Sequence, residues 1–401
     1  MHVRASILMS IVLSIQRPTI TKAFTTNSRR FVATASRFSS AFIATHHHNS
    51  NPAPPTAVLT TQYRHRHRHL SSLPMAEIDT MADIETAPIT YPIEMTEDER
   101  YLFDLNGYII IRNVLSPSEV AEANSMIDNH QTAMIERKEA SLRNAVKGTA
   151  FYGSGPGRKD LGAVLEWGDD SKVFKSILAH PRLVPLFHGI MGKGYRLDHL
   201  PFVIAQDKGA EGFQLHGGTV DCTSGDYNPH LAYTCHNGFI RSALMGCNVM
   251  LTDHDAGFGG FCVVPGSHKS NFKMPPGMVD GEKYKEFIQQ PATKAGDVVL
   301  FSEGTVHGAM AWTQEFQRRV CLYRFSPATN VYGRSYFTEN GKWPAKMYEG
   351  MNDAERAVLE PPYANRLDRP EIMEDAKSVQ ISTRNDRKKQ HDQELFGTKY
   401  F

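Results

Sequence analysis

Cysteine and long apolar runs are both scarce in this chain. Its 401 residues include five cysteines, an odd number, and no two of them form a Cys-x-x-Cys pair. A disulfide framework and a thiolate zinc site are therefore excluded. No uninterrupted apolar stretch reaches ten residues, far short of the roughly 20 that a membrane-spanning helix needs. We expect no stable membrane span.

Acidic residues are absent from the first 74 residues, which carry nine Lys and Arg. The formal net charge of the whole chain is +1, so the remainder holds 35 Lys and Arg against 43 Asp and Glu, a balance of −8. Sequence-independent binding to nucleic acid requires clustered cations that neutralise phosphates. The acidic remainder therefore excludes nucleic acid as a partner, whereas 41% hydrophobic residues are enough for a packed core.

Residues 1–74 have the composition of an organelle-targeting presequence, because they are basic, acid-free and rich in Ser, Thr, Arg and His. An apolar run over residues 7–15, followed by basic sequence around Phe24, resembles a bipartite plastid presequence. A mitochondrial presequence fits about as well. Met75 begins ordinary acidic sequence and is an alternative start, which would leave the protein in the cytoplasm. We expect residues 1–74 to be disordered and residues 75–94 to form a linker.

Helix-start signals open the body of the chain. Thr96-x-x-Glu99 and Ser116-x-x-Glu119 have the spacing of capping boxes, so each begins a helix, and Gly107 ends the first one. Short β-type runs separated by turn residues become frequent beyond about residue 195. The pattern predicts an antiparallel sandwich or barrel preceded by helices. The predicted strands include 108–111, 202–205, 244–252, 260–264, 298–301 and 320–325.

Motifs of nucleotide, hydrolase-triad and zinc-protease chemistry are missing, since the chain has no Walker loop, nucleophile elbow or His-Glu-x-x-His. Polar candidates follow the strand-rich half instead: His216 at the end of one strand, His307 just past another, and Arg318 eleven residues later. Two imidazoles at the mouth of a small barrel can hold a redox metal, and an arginine one strand over can clamp a carboxylate. A closed barrel brings such distant strands to one mouth.

These residues stand in motifs that resemble the phytanoyl-CoA dioxygenase family of Fe(II)- and 2-oxoglutarate-dependent oxygenases. The resemblance covers roughly residues 95–365 and implies a mainly β fold. That fold is a double-stranded β-helix, a jelly-roll or cupin-like barrel, with flanking N-terminal helices. The motifs that carry the resemblance are Leu105-Asn106-Gly107-Tyr108, the run from Gly259 to His268 with its Pro265-Gly266-Ser267-His268 turn, the Gly296-Asp297 strand leading to His307-Gly308, and Arg318.

The resemblance also implies which residues bind the cofactors. His216 and His307 would hold Fe(II), Arg318 would clamp the far carboxylate of 2-oxoglutarate, and ascorbate is a candidate reductant. Arg319 is the alternative clamp, but neighbouring residues of a strand face opposite sides, so only one of the two can reach the cofactor. Further candidates for the pocket are Gln206, Gln214, Tyr233 and Trp312, of which Gln206 and Tyr233 are assigned to the cofactor.

The chain departs from the family pattern at the third metal ligand. The family motif is His-x-Asp or His-x-Glu, whereas the third position here is Gly218, which has no side chain. Three interpretations follow. An acid elsewhere completes the triad, a halide takes the vacant position as in related non-haem iron halogenases, or metal binding is lost and the barrel only binds a ligand. Glu303, four residues before His307, is the best-placed acid, and Asp221 is the second.

Glu303 can reach a metal beside His307 only if the chain between them is not extended. Four residues of an extended strand span about 13 Å, which would hold the carboxylate too far away. A bulge of the chain at Gly304 is the condition under which this distance would close and Glu303 could bind the metal.

The predicted activity is oxidation of an unactivated carbon, by hydroxylation or desaturation, in a small organic or lipid-like substrate. Dioxygen would be consumed, and succinate and CO2 released. Halogenation and non-catalytic binding are the alternatives, and the sequence leaves the substrate and the oligomeric state open. Residues 95–365 are predicted to form the oxygenase domain and residues 366–401, with the basic cluster 384–389, a charged solvated tail.

Overall fold

The computed structural model describes residues 90–139, 144–333, 343–362, 369–373 and 376–381, together with 390, 391, 393–395 and 397. They all belong to one compact unit, 82–401. Several sequence predictions lie outside the described residues: the presequence 1–74, the alternative start at Met75, the linker up to residue 89 and the basic cluster at residues 384–389.

Helices precede the sheets, as the sequence predicts. The first, α1 (Glu97–Asn106), begins at a capping box on Thr96 and ends at Gly107 in the left-handed conformation. Strand β1 (Tyr108–Ile111) follows directly, and α2 (Pro117–His130) begins at a second capping box. In both boxes the cap side chain accepts from the backbone N–H three residues on, and the glutamate there accepts from the N–H of the cap. The predicted helix starts are confirmed.

Most of the remaining helices and strands are short, and β4 and β12 are the longest strands among them. In chain order they are β2 (Ile135–Glu136), β3 (Lys159–Leu161), α3 (Lys172–Ser176), α4 (Val184–Met191), β4 (Arg196–Gln206), β5 (Phe213–His216), β6 (Tyr233–His236), β7 (Phe239–Ser242), β8 (Met245–Met250), β9 (Gly260–Val263), α5 (Pro276–Val279), β10 (Val298–Ser302), β11 (His307–Met310), β12 (Arg318–Ser326), α6 (Asp353–Val358), β13 (Pro370–Ile372) and β14 (Val379–Ile381). Every strand named in the sequence prediction is present. Within the described part of the chain, no helix has the length and apolar character needed to cross a membrane.

Two antiparallel sheets make up the barrel. The larger has seven strands in the order β1-β10-β8-β12-β4-β3-β2, and the smaller has three in the order β5-β11-β9. β6 with β7 and β13 with β14 form separate hairpins. The chain repeatedly crosses between the sheets, so that strands distant in sequence become neighbours. This arrangement confirms the predicted mainly β fold, a double-stranded β-helix with flanking helices.

Apolar side chains from both sheets meet between them. The ring centroids of Phe261 on β9 and Phe301 on β10 are 5.1 Å apart. They belong to one buried cluster with Met250 on β8 and Val320 on β12. Removing such surface from water is the main force that holds two sheets face to face. Where this core gives way to polar side chains, a cavity opens between the sheets.

Part of the predicted C-terminal tail, residues 370–372 and 379–381, packs against the helices of the domain. Residues 366–401 were predicted to be a solvated tail, but the β13–β14 hairpin packs against α6, and β13 also contacts α4. The α6 helix buries Ala354 and Val358, four residues apart, while Asp353 and Arg356 stay exposed. Apolar residues at this spacing form one face of an amphipathic helix, and the β13–β14 hairpin packs against this helix.

Gly212, just before β5, is a position of close backbone approach. A Cβ built there would lie 1.7 Å from the backbone oxygen of Ala309 on β11, so any side chain would push the two strands apart. We expect Gly212→Ala to lower the free energy of unfolding by about 1–3 kcal/mol in urea denaturation. Gly162→Ala is the matched control, because a Cβ there meets nothing within 4 Å. Equal stability of the two variants would contradict this packing.

Candidate active site

The smaller sheet holds two histidines side by side. His216 is the last residue of β5 and His307 the first of β11, and the strand register pairs them directly. Their ring centroids are 4.3 Å apart. Directly paired residues project from the same face of a sheet, and both imidazoles line the cavity between the sheets. The structure therefore brings together the two histidines that the sequence singled out.

Both imidazoles present the same nitrogen to the cavity. Nδ1 of His216 lies 2.9 Å from the backbone oxygen of Gln214, and Nδ1 of His307 lies 2.7 Å from that of Thr305. A carbonyl oxygen can only accept, so each Nδ1 carries the proton and each Nε2 keeps its lone pair. Burial, and then His307, lower the pKa of His216 to about 3, and burial also lowers the pKa of His307. The pair is neutral at physiological pH, which is the state that binds metals.

A tight turn brings Glu303 to the histidines. Strand β10 belongs to the larger sheet and β11 to the smaller, and residues 303–306 carry the chain from one to the other. The backbone N–H of Thr305 donates to the oxygen of Ser302 at 2.8 Å, which closes the turn. Oε2 of Glu303 then lies 3.6 Å from Nε2 of His307. The chain from Glu303 to His307 is therefore not extended, and a turn at Glu303 and Gly304, rather than a bulge within one strand, shortens the path.

The Glu303 carboxylate is buried and ionised. Its side chain is only 5% exposed, and the Nε–H of Arg324 on β12 donates to Oε1 at 2.6 Å. Burial alone would raise the pKa of Glu303, but the Arg324 guanidinium and then His307 outweigh it and lower the pKa to about 2. Oε1 is thus held by Arg324 while Oε2 faces the imidazole.

The prediction from sequence did not include Arg324, although a signal for it existed. Arg318 and Arg324 lie six residues apart in one strand, and residues of equal parity share a face of a sheet. Both side chains line the cavity, together with Val320 and Leu322 between them. The alternation that points Arg318 inward therefore also points Arg324 inward.

The three side chains have the chemistry and the spacing of a metal-ligand set. His216, Glu303 and His307 each offer one ligand atom, and these atoms lie within 4.8 Å of one another. Two imidazole nitrogens and one carboxylate oxygen are the donors that non-haem Fe(II) sites use. Both histidines have their second nitrogen fixed by a carbonyl, as ligating histidines generally do. The residues present therefore fit an iron ion.

The two other acid positions considered from the sequence do not contribute. Gly218 has a φ of 102°, and a Cβ built there would lie 2.4 Å from the backbone oxygen of Val220. A side chain at this position would therefore collide with the backbone of Val220. Oδ1 of Asp221 accepts from the backbone N–H groups of Thr223 and Ser224 at 2.9 and 2.6 Å, within its own turn.

Arg318 is a buried cation with neutral partners. Its Nε–H donates to Nε2 of His254 at 2.9 Å, and its Nη1 donates to Oε1 of Gln206 at 2.7 Å. Burial lowers the pKa of Arg318 to about 9, so the guanidinium stays charged at neutral pH. Among the residues that the structure describes, no carboxylate forms an ion pair with it. A buried guanidinium without an acid partner fits a carboxylate of a bound keto acid.

The neighbouring arginine points away from the cavity. Arg319 reaches α2, where its Nη2 donates to Oδ1 of Asp128 at 2.6 Å. The fallback assignment of the cofactor clamp to Arg319 is therefore not supported by the geometry.

Of the four remaining pocket candidates, Gln206 lines the cavity. Tyr233 lies on the β6–β7 hairpin, where its hydroxyl donates to Asp104, so its assignment to the cofactor is not supported. Gln214 donates to the backbone oxygen of Val279 at 2.9 Å. Trp312 is fully buried and packs edge-on against His254.

The cavity is small and has a mixed lining, which includes two further arginines, Arg137 and Arg158, besides Asn248 and the polar residues already described. Its volume is about 280 Å³. Aromatic and aliphatic walls surround the polar groups, and they include Phe202, Ile204, Phe213, Phe261 and Phe301.

Comparison with known proteins identifies the family. The family model for phytanoyl-CoA dioxygenase (PhyH) matches residues 103–320, more than half of the chain. The chain therefore belongs to the phytanoyl-CoA dioxygenase family. It is an oxygenase that depends on 2-oxoglutarate and uses Fe(II), which confirms the predicted class of enzyme and its cofactors.

The relatives found in this comparison are distant. An ectoine dioxygenase of Streptomyces coelicolor is 24% identical over 276 residues, which cover 67% of this chain and 81% of that protein. An ectoine dioxygenase of Stutzerimonas stutzeri is 23% identical over 292 residues, which cover 68% and 87%. Among solved structures, iron-bound HygX from Streptomyces hygroscopicus is 20% identical with a TM-score of 0.47, over 60% of this chain and 90% of that one.

Gly218→Asp would restore the family motif in sequence without, we expect, placing a carboxylate at the metal. The new Cβ would collide with Val220, and the positive φ is strained for any residue but glycine. The variant should lose about 1–3 kcal/mol of stability and gain no affinity for Fe(II) in a metal titration. Gly238→Asp, also at positive φ but with nothing within 4 Å of its Cβ, is the control and should lose less. Tighter Fe(II) binding by Gly218→Asp would contradict this geometry.

Proposed function

We propose that this oxygenase oxidises an unactivated carbon of a small organic or lipid-like substrate, by hydroxylation or desaturation, with iron held by His216, Glu303 and His307. The observation that carries the proposal is the buried carboxylate of Glu303, turned toward a neutral imidazole in a chain that lacks the family's usual acid at Gly218. Fe(II) and 2-oxoglutarate, when bound, supply the oxidising chemistry: dioxygen is consumed, the keto acid yields succinate and CO2, and a C–H bond is oxidised.

Each of these side chains has a definite task in the proposal. His216 and His307 donate the lone pairs of their Nε2 atoms, and Glu303 donates one carboxylate oxygen while Arg324 holds the other. Arg318 binds the far carboxylate of the keto acid, and the amide of Gln206 keeps the guanidinium in place. These contacts fix the geometry before the substrate arrives.

The size of the cavity limits the part of the substrate that enters it to a small or slender group. A volume of about 280 Å³ must hold the keto acid and the carbon that reacts, so the bulk of a larger substrate has to remain outside. The aromatic walls exclude water from the reacting centre and favour an apolar carbon beside the metal. These features support oxidation of a carbon position that lies against the apolar walls.

Halogenation is the second candidate, and the position of Glu303 weighs against it. A halide needs an unfilled ligand position beside the imidazoles. Oε2 of Glu303 lies 3.6 Å from Nε2 of His307, and a buried carboxylate there would repel an incoming anion.

Replacement of Glu303 by glutamine tests the proposal. Glu303→Gln keeps the shape and an oxygen for Arg324 but removes the charge, so the fold should survive. We expect at least about 100-fold weaker Fe(II) binding in a titration, beyond the loss typical of an outer-shell partner, and no succinate formation above background. Glu315→Gln, an 84% exposed side chain paired with Lys208, is the control and should behave as the wild type.

The alternatives give different results in the same assays. If Glu303→Gln retains iron affinity and turnover, and turnover requires chloride with a chlorinated product in mass spectrometry, the halide interpretation replaces the proposal. If the wild-type protein, supplied with Fe(II) and 2-oxoglutarate, forms no succinate with any substrate tested, the interpretation of the barrel as a non-catalytic binding protein replaces the proposal.

A further inference from the structure

His254 is a buried histidine that lies outside the metal-ligand set. It follows β8 and is only 4% exposed. Its backbone is fixed by two hydrogen bonds with Thr293, at 2.9 and 2.8 Å, and its ring packs edge-on against Trp312 at 5.3 Å between centroids. The imidazole is not among the residues that line the cavity, and it contacts the Arg318 side chain, which does line it.

The proton of His254 can be located from its partners. The Nε–H of Arg318 can only donate, so Nε2 of His254, at 2.9 Å, must be the acceptor. The ring proton therefore sits on Nδ1, which faces the hydroxyl of Thr293 at 3.4 Å. Burial, and then the charge of Arg318, lower the pKa of His254 to about 2, so the ring stays neutral.

The hydrogen-bond acceptors of Arg318 are neutral, so they leave the charge of the guanidinium in place, as an acidic partner would not. The guanidinium of Arg318 has five N–H groups, of which Nε–H is taken by His254 and one on Nη1 by Gln206. An imidazole and an amide fix the orientation of the cation without neutralising it. A carboxylate in the same place would form an ion pair with Arg318 and compete with any anionic ligand.

We propose that His254 is a positioning residue for the keto acid: it fixes the Arg318 guanidinium through Nε, leaves its full charge uncompensated, and directs the terminal Nη groups to the far carboxylate of 2-oxoglutarate. This inference rests on the proposed role of Arg318. It concerns a residue that touches neither cofactor nor substrate.

Three substitutions of His254 separate the effect of its charge from the effect of its ability to accept a hydrogen bond from Arg318. His254→Gln keeps a neutral acceptor at the position of Nε2, His254→Phe keeps the ring without an acceptor, and His254→Glu keeps an acceptor but adds a negative charge. Anaerobic calorimetry on the Fe(II)-loaded protein would measure binding of N-oxalylglycine, an unreactive analogue of 2-oxoglutarate. The same titration with 2-oxobutyrate, which lacks the far carboxylate, is the matched ligand control.

The proposal fixes the order of the affinities. His254→Gln should bind N-oxalylglycine with an affinity within about 3-fold of wild type. His254→Phe should bind it about 10-fold more weakly, and His254→Glu about 100-fold more weakly. Both losses lie in the range expected for hydrogen bonds to a charged group. Binding of 2-oxobutyrate should change less than about 3-fold in all three variants. In an Arg318→Ala background, where the cation is gone, His254→Phe should have no further effect.

A purely structural role predicts another pattern. Equal losses for both ligands, or additive losses with Arg318→Ala, would show that His254 only supports the fold, and tight binding of N-oxalylglycine to His254→Glu would show that neutrality does not matter. Each of these results overturns the inference but leaves the proposed function standing. Failure of the wild-type protein to bind N-oxalylglycine would overturn both.

Discussion

A carboxylate buried in a protein keeps its charge only if a cation or several donors face it, and this constraint organises the site around Glu303. Arg324 on β12 supplies the cation at 2.6 Å, and the pairing holds the point where the chain leaves the larger sheet. The turn that begins there delivers His307 to the smaller sheet, directly opposite His216. Loss of the contact between the two side chains, as opposed to loss of the charge alone, would therefore disturb the turn, the strand register and the ligand geometry together.

Strand β12 joins the two polar ends of the cavity. Arg318 and Arg324 project from the same face, with two apolar residues between them, across a rise of about 20 Å. The two guanidinium groups differ in their partners, because Arg324 faces a carboxylate of the protein, whereas the hydrogen-bond partners of Arg318 among the described residues are an imidazole and an amide. One cation is neutralised by the fold, and the other has no carboxylate partner among the described residues.

Local patterns predicted much of this structure, and contacts set by the tertiary fold account for what was missed. The capping boxes, and the alternation of strand faces that separates Arg318 from Arg319, depend on neighbouring residues alone, so they could be predicted from the sequence. The α4 helix is apolar on most sides and shows no period, and no pattern places His254 behind Arg318, since a loop brings it there. The β6–β7 hairpin was overlooked although Asn237-Gly238 is a strong turn signal.

The central claim is that Glu303 occupies the ligand position that Gly218 leaves open. The most direct measurement is a crystal structure of the protein grown without oxygen in the presence of Fe(II), 2-oxoglutarate and chloride. The account predicts one Glu303 oxygen at about 2.0–2.2 Å from the metal, the usual carboxylate distance for a divalent ion of this size, with the other still bound to Arg324. A chloride or a water at that position, with Glu303 bound to Arg324 alone, would contradict it.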